Sequence, residues 1–446
     1  MLPYAPPFML PRAAAGLAVF LFAACGSDGN GSSEQESAAH RPPNILLVVV
    51  DTLRADHLSV YGYAARPTAP ALAALAQEPG SQVVNNLIGC SSWTKPSMAT
   101  LFTGLPPVEH GVMRLVGPGS RLADSATLAA AFGRAGFATG CVMSNHLLTR
   151  DTGSGFDRGF AFWDERSARM KHEGTTSAEV AASGLAWLGQ QPAGQPWFLV
   201  LHFFDPHAVL VDHPGQDWFQ PGYGGWVKGS DATATLRAQQ NSCSEADRAQ
   251  LGALYDEEVR AVDDAFGTVV AALRQRSDWP DTLVIFTADH GEELAERGTI
   301  GHTQTLHAEL NDLPLVLRVP AGVAWDLPAL PEGGHAQQQL YGAMLRAAGI
   351  AIPHGPVGSA GRGVTPDFAA AEVDFVPVFA EHSEKFVQKR AVVRGDFKLM
   401  LDRKSGAFTL FDRASDPREM SPLPAEHSQR AALEALLRAH LWWESE

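Results

Sequence analysis

Cysteine is scarce in this chain, with four residues among 446. Cys25, Cys90, Cys141 and Cys243 are unevenly spaced, which excludes a paired metal motif and a disulfide framework and leaves an odd thiol in the folded body. Basic residues are also short: Lys and Arg number 34 against 49 Asp and Glu, for a formal net charge of -15. That balance excludes the broad basic footprint needed to hold a nucleic-acid backbone. No run after Ala24 is long and apolar enough to span a bilayer, and no internal repeat is visible, which excludes a repeat array. An acidic chain acting on an anion would have to catch it with a local cation or with histidine, of which there are 16.

What is present begins with a processing signal. Arg12 precedes an apolar stretch, Ala13 to Ala24, that stops at Cys25. The sequence FAAC followed by GSDG resembles a bacterial lipoprotein signal, in which a lipid is attached to the cysteine after cleavage. Residues 1–24 are therefore expected to be a lipoprotein-type signal peptide, with simple secretion or a retained anchor as the other readings. Residues 25–42 cannot bury enough apolar area to fold and are expected to be a flexible tether. The expected location is exported: a periplasmic or outer-membrane-tethered lipoprotein of a bacterium, held to the membrane by lipid on Cys25.

Folded sequence starts at Pro43. Asn44 to Val50 (NILLVVV) is a continuous apolar run rich in β-branched residues, the pattern of a strand buried on both faces of a parallel sheet. Similar strands are expected at Ala138 to Val142, Trp197 to Phe204, Thr282 to Thr287 and Leu315 to Val319, with helices at Leu122 to Arg134, Ser177 to Leu188, Glu245 to Arg276 and His335 to Ala348. This alternation predicts a layered α/β fold. The tail, AVVRGDFKLML then AFTLFD then a helix from Ala425 to Leu441, predicts a small C-terminal α+β subdomain. The expected boundaries are a catalytic α/β domain at 43–385 and the subdomain at 386–446.

Chemistry-bearing residues gather at strand ends, where open α/β sheets place their sites. Asp51 ends the first strand; taken alone it reads equally as a helix cap or a ligand. Asp289 and His290 end the strand in FTADHGEE and offer oxygen and imidazole to a divalent ion, the plainer reading being a turn. Thr94 in SSWTKPSMATLFTG stands at a helix start, where unpaired backbone amides favour an anion; by itself it reads as an N-cap. His202, Asp205 and His207 lie in LHFFDPHA, His146 in MSNHLLT and His302 in IGHTQTLH. The aromatic segment 209–229 is either a pocket loop or simple packing.

The opening NILLVVVDTLRADHLSVYGY, the segment TKPSMATLFTG, FTADHGEEL and the following GH resemble the sulfatase branch of the alkaline phosphatase superfamily, in that family's order. The tail AVVRGDFKLM followed by TLFDRASDPREMSPL resembles its C-terminal subdomain. The resemblance implies a three-layer sandwich with a mainly parallel central sheet, and places Thr94 at the nucleophile position. Cys90 lies four residues too early and lacks the required proline and arginine, so a cysteine-derived formylglycine is not expected. Met98 stands where the family has an arginine, Thr52 where it has a second aspartate, and Ser144 where it has a lysine.

The resemblance implies one divalent ion (Mn, Zn, Mg or Ca) on Asp51, Thr94, Asp289 and His290, with Asp205 available to a second. Thr94 would attack the ester and form a covalent intermediate, His302 would protonate the leaving oxygen, and His207 and His146 would bind the other oxygens. The expected substrate is a small or polymeric anionic ester, phosphate esters being favoured because threonine lacks the elimination route open to formylglycine. A sulfuric ester hydrolase, a phosphotransferase and a non-catalytic envelope protein are the other readings. Oligomeric state is not legible.

Overall fold

The computed structural model describes residues 41–443 apart from 116, 118, 123–126, 169–175, 214–215, 217, 219–221, 232, 331–332, 353–370 and 375–388. The expected signal peptide and almost all of the tether, including Cys25, lie outside the described residues. From Pro42 onward the chain forms one compact unit.

An eight-stranded sheet organises it. Its strands are β1 (Asn44–Val50), β2 (Ser81–Ile88), β3 (Ala138–Val142), β4 (Phe162–Asp164), β5 (Trp197–Phe203), β6 (Thr282–Ala288), β9 (Asp312–Arg318) and β10 (His335–Ala336). A small antiparallel pair, β7 (Glu293–Leu294) and β8 (Ile300–Gly301), lies outside it. The order across the sheet is β10-β2-β9-β6-β1-β5-β3-β4. All pairings are parallel except those of β9, which runs antiparallel to both β2 and β6. The sheet is thus mixed but mainly parallel.

Every residue of β1, β5 and β6 is buried, as continuous apolar runs require when helices cover both faces. One helical group packs Ser177–Leu188 and Pro70–Leu75 on the long helix Glu245–Arg274; another packs Thr94–Thr103 on Leu128–Arg134 and Gln339–Ala347. The long helix opens with a capping box, Ser244 accepting from the Asp247 amide while the Asp247 carboxylate accepts from the Ser244 amide. In the segment 209–229, Tyr223 and Trp226 pack on the main core.

The tail forms a four-stranded antiparallel sheet, β11 (Ala371–Asp374), β12 (Lys389–Arg394), β13 (Phe397–Asp402) and β14 (Ala407–Asp412), followed by the helix Arg430–Trp443. Its two faces follow from the two-residue period of a strand. Ala391, Val393, Met400 and Phe411 pack against Ile88, Leu306 and Ala336 of the main body. The alternate residues Val392, Leu399, Leu401 and Leu410 pack against Leu433 and Leu437 of the helix.

Charge also joins the two parts. The fully buried Lys398 ammonium donates to both oxygens of Glu419, at 2.9 and 3.1 Å, and His307 lies 3.1 Å from the same carboxylate. These partners hold Glu419 down to about 2 against the upward pull of burial. Breaking a buried pair leaves one charge uncompensated. Lys398→Met is therefore expected to destabilise the protein by about 3–5 kcal/mol in urea unfolding; an unchanged midpoint would show that the pair is not holding the subdomain.

Candidate metal centre and active site

Strand register builds the site. Val50 pairs with Ala288 on one side and with Phe203 on the other, so β1, β5 and β6 end level. Asp51 and Asp289, the next residues along, therefore emerge side by side, and His202 arrives from β5 opposite Val49. Gly291 then lets the chain turn away: a Cβ there would sit 1.9 Å from the Glu309 carbonyl oxygen.

Asp51, Asp289, His202 and His290 are all completely buried. Asp51 Oδ2 accepts from Asn145 Nδ2 at 2.7 Å, while Oδ1 has no partner. Asp289 Oδ1 accepts from the amides of His290 (2.7 Å) and Thr52 (3.2 Å), leaving Oδ2 unpartnered. The Nδ1–H of His290 donates to the Gly291 carbonyl at 2.9 Å, which leaves the lone pair on Nε2. That nitrogen lies 3.6 Å from Asp51 Oδ1 and 3.5 Å from Asp289 Oδ2. His202 Nε2, also unpartnered, is 3.8 Å from Asp51 Oδ2.

Buried ionised oxygens without donors are costly unless a cation faces them. Burial, reinforced by the charge of Asp289, pushes the Asp51 carboxyl well up, and burial pushes Asp289 up to about 7. Burial, with the nearby His290, pushes His202 down to about 3. Asp51, His202 and Asp289 each offer one ligand atom within 4.8 Å of the others. The donor set fits a divalent ion of mixed oxygen and nitrogen preference.

Thr94 is the first residue of its helix, with Trp93 at the N-cap position and no side-chain cap bond, so it is not an N-cap. Its Oγ1 lies 3.5 Å from Asp51 Oδ2, 3.3 Å from His290 Nε2 and 3.4 Å from Asn145 Nδ2. Asp51 likewise caps no helix; the short turn that follows starts after Arg54.

A second group of imidazoles adjoins. The His302 ring centroid is 4.6 Å from that of His290 and 4.9 Å from that of His207, which stacks on Phe204. His302 Nδ1 is 2.8 Å from Glu292 Oε1, and Glu292 Oε2 accepts from the Ala208 amide, which ties the two loops together. Burial, aided by each ring's neighbours, lowers His207 and His302 well below the usual imidazole range.

One sequence expectation changes. Asp205 does not join the cluster: its oxygens accept from the amides of Thr176 (2.6 Å) and Ser177 (2.9 Å) and from the Thr176 hydroxyl, so it caps the helix Ser177–Leu188. His146 sits in a short turn with an unpartnered Nδ1, and it is the adjacent Asn145 that reaches Asp51 and Thr94. Asn145 and Glu292 were not among the expected site residues, and His202, noted at its strand end, was given no role. Their signal was position alone: Asn145 follows the end of β3, and Glu292 lies two residues beyond His290.

Residues 43–350 match the family model described as Sulfatase. The chain belongs to the sulfatase family. It is 24% identical over 330 residues to the multifunctional alkaline phosphatase superfamily protein PehA of Trinickia caryophylli, a match covering 63% of this chain and 61% of that relative. The chain thus spans about three-fifths of that protein's length. Its fold is similar to that of BT1596, a 2-O GAG sulfatase (TM-score 0.68, 18% identity, covering 91% of this chain and 93% of the other). It is also similar to the phosphonate monoester hydrolase of Agrobacterium radiobacter (TM-score 0.65, 21% identity, covering 90% and 95%). The sulfatase-like sandwich and the family of ester hydrolases expected from the sequence are both borne out.

The raised Asp289 carboxyl has a defined stability consequence. Without metal the folded state keeps that proton up to about pH 7, whereas the unfolded chain releases it near 3.8, so stability falls as pH rises between those values. The displacement corresponds to roughly 4 kcal/mol. Chelator-treated protein is expected to melt lower at pH 8 than at pH 5, with the difference narrowed in Asp289→Asn and, in the wild type, by added divalent ion. An equal pH dependence in the mutant would remove Asp289 as its source.

Proposed function

We propose that this sulfatase-family chain is a metal-dependent hydrolase of phosphate esters, monoesters or diesters, acting through a covalent intermediate on Thr94. The observation that carries the reading is the setting of Thr94 Oγ1 between two acceptors, Asp51 Oδ2 and His290 Nε2, and one donor, Asn145 Nδ2. Asp51, Asp289 and His290 would hold the ion, with His202 as the added nitrogen donor. A bound divalent ion supplies Lewis-acid polarisation of the ester and eases deprotonation of the threonine hydroxyl.

The chain's own groups do the rest. The Thr94 proton passes to Asp51 Oδ2, because the Nε2 lone pair of His290 would face the ion, and Asn145 Nδ2 donates to the oxygen left behind. A bond forms from Oγ1 to phosphorus as the bond to the leaving oxygen breaks, and His302 gives that oxygen a proton. Glu292 at Nδ1 fixes the orientation of the His302 ring and supports its charged form, while the charge of a bound ester offsets the burial that otherwise keeps it neutral. His207 faces the same space and donates to a non-bridging oxygen. Water then cleaves the bond between phosphorus and Oγ1, restoring the hydroxyl.

Sulfate esters are the second reading, supported by family membership. The unmodified threonine and Met98 in the arginine position weigh against it. The leader ending at Cys25 supports placing the protein outside the cytoplasm on a lipid tether.

Thr94→Ala and Asp289→Asn are to be assayed with an aryl phosphodiester, an aryl phosphomonoester and an aryl sulfate. Thr94→Ala is expected to lower kcat by roughly 10^4-fold or more on the preferred ester while melting as wild type. A phosphorylated Thr94 peptide trapped from wild type would support the covalent route. Wild-type rates in Thr94→Ala would reject it, and faster turnover of the sulfate would reverse the ester preference.

A further inference from the structure

Thr52, directly after Asp51, is a β-branched residue with φ of +58° and no solvent exposure. Left-handed backbone is unfavourable for such a residue, so something must impose it. Its amide is the second donor to Asp289 Oδ1, at 3.2 Å. Its carbonyl accepts from the Tyr255 hydroxyl at 2.7 Å, and the same phenolic oxygen accepts from the Arg54 amide at 2.8 Å. One hydroxyl therefore clamps the backbone on both sides of Leu53.

Tyr255 is well placed to act as a fixed post. It is fully buried on the long helix Glu245–Arg274, and its ring meets the edge of His57, which is held in turn by Asp256 at 2.6 Å. With the Thr52 carbonyl and the Arg54 amide fixed by Tyr255, turning Thr52 to an extended φ would swing the Asp51–Thr52 peptide and carry its amide off Asp289 Oδ1. Asp289 would then lose one of the two bonds that occupy Oδ1 and leave Oδ2 facing Asp51 and His290.

We propose that Tyr255 is a positioning residue for the metal centre: its hydroxyl holds Thr52 in the left-handed conformation that directs the Thr52 amide to Asp289 and so aims the free oxygen of Asp289 at the ion. This rests on the reading that Asp51 and Asp289 hold a divalent ion. Positioning groups of this kind typically change metal affinity by about 10–100-fold when removed.

The test is Mn2+ titration of chelator-stripped full-length protein by calorimetry, with circular dichroism to establish folding. Tyr255→Phe is expected to weaken the Mn2+ Kd by about 10–100-fold. Adding Thr52→Gly in the same chain is expected to recover at least about tenfold of that loss, because glycine adopts positive φ without a clamp. Thr52→Gly in the otherwise wild-type chain is the control: a gain confined to the Tyr255→Phe background supports the clamp, and an equal gain in both backgrounds overturns it. An unchanged Kd in Tyr255→Phe, or a double mutant no better than the single, overturns the proposal. Should Tyr255→Phe alone not fold, the double mutant carries the test, a Kd within about tenfold of wild type supporting it and a larger loss overturning it. Wild-type protein that binds Mn2+ but cleaves no ester would defeat the hydrolase reading while the ratio of Kd values still decides the role of Tyr255. Folded wild type that takes up no Mn2+ would defeat both.

Discussion

Two carboxylates that repel each other, Asp51 and Asp289, are held together by the parallel pairing of β1 with β6, in which Val50 stands opposite Ala288. Neither side chain can reach water, and each keeps one oxygen without a donor. The sheet supplies the force that overrides this repulsion, since its three central strands are buried along their whole length. An arrangement so unfavourable in isolation is consistent with a site shaped for a cation.

Around that pair the structure is graded. Asn145, Thr52 and the His290 backbone bond directly to the two carboxylates. Behind them, Glu292 links the His302 ring to the loop carrying His207. Farther out, Arg297 reaches Glu309 while Lys398 and His307 meet at Glu419, so the C-terminal sheet braces the segment that follows His302. The subdomain thus contributes to the site by holding that segment in place.

Beside the buried carboxylates stand three uncharged residues, Thr52, Thr94 and Asn145. One neutral side chain and one backbone amide serve them: Asn145 Nδ2 donates to both Asp51 and Thr94, and the Thr52 amide donates to Asp289.

Much of the fold was legible because β1, β5 and β6 are unbroken apolar runs, a pattern that only two-sided burial explains. β2 escaped notice because only its last two residues are buried and it carries Asn85 and Asn86, giving no apolar run. The antiparallel direction of β9 was equally hidden, since a buried strand reads the same either way. Asp205 was misplaced because proximity to a strand end does not say which way a side chain turns.

The sequence by itself determined the chemical types at the strand ends: Asp51, Thr94, Asp289 and His290 could be named from local runs and the order of motifs. Only the tertiary structure decided which polar groups meet them. The bond from Asn145 to Asp51 crosses 94 residues and that from Thr52 to Asp289 crosses 237, so their existence depends on strand order and register, which no local stretch of chain encodes.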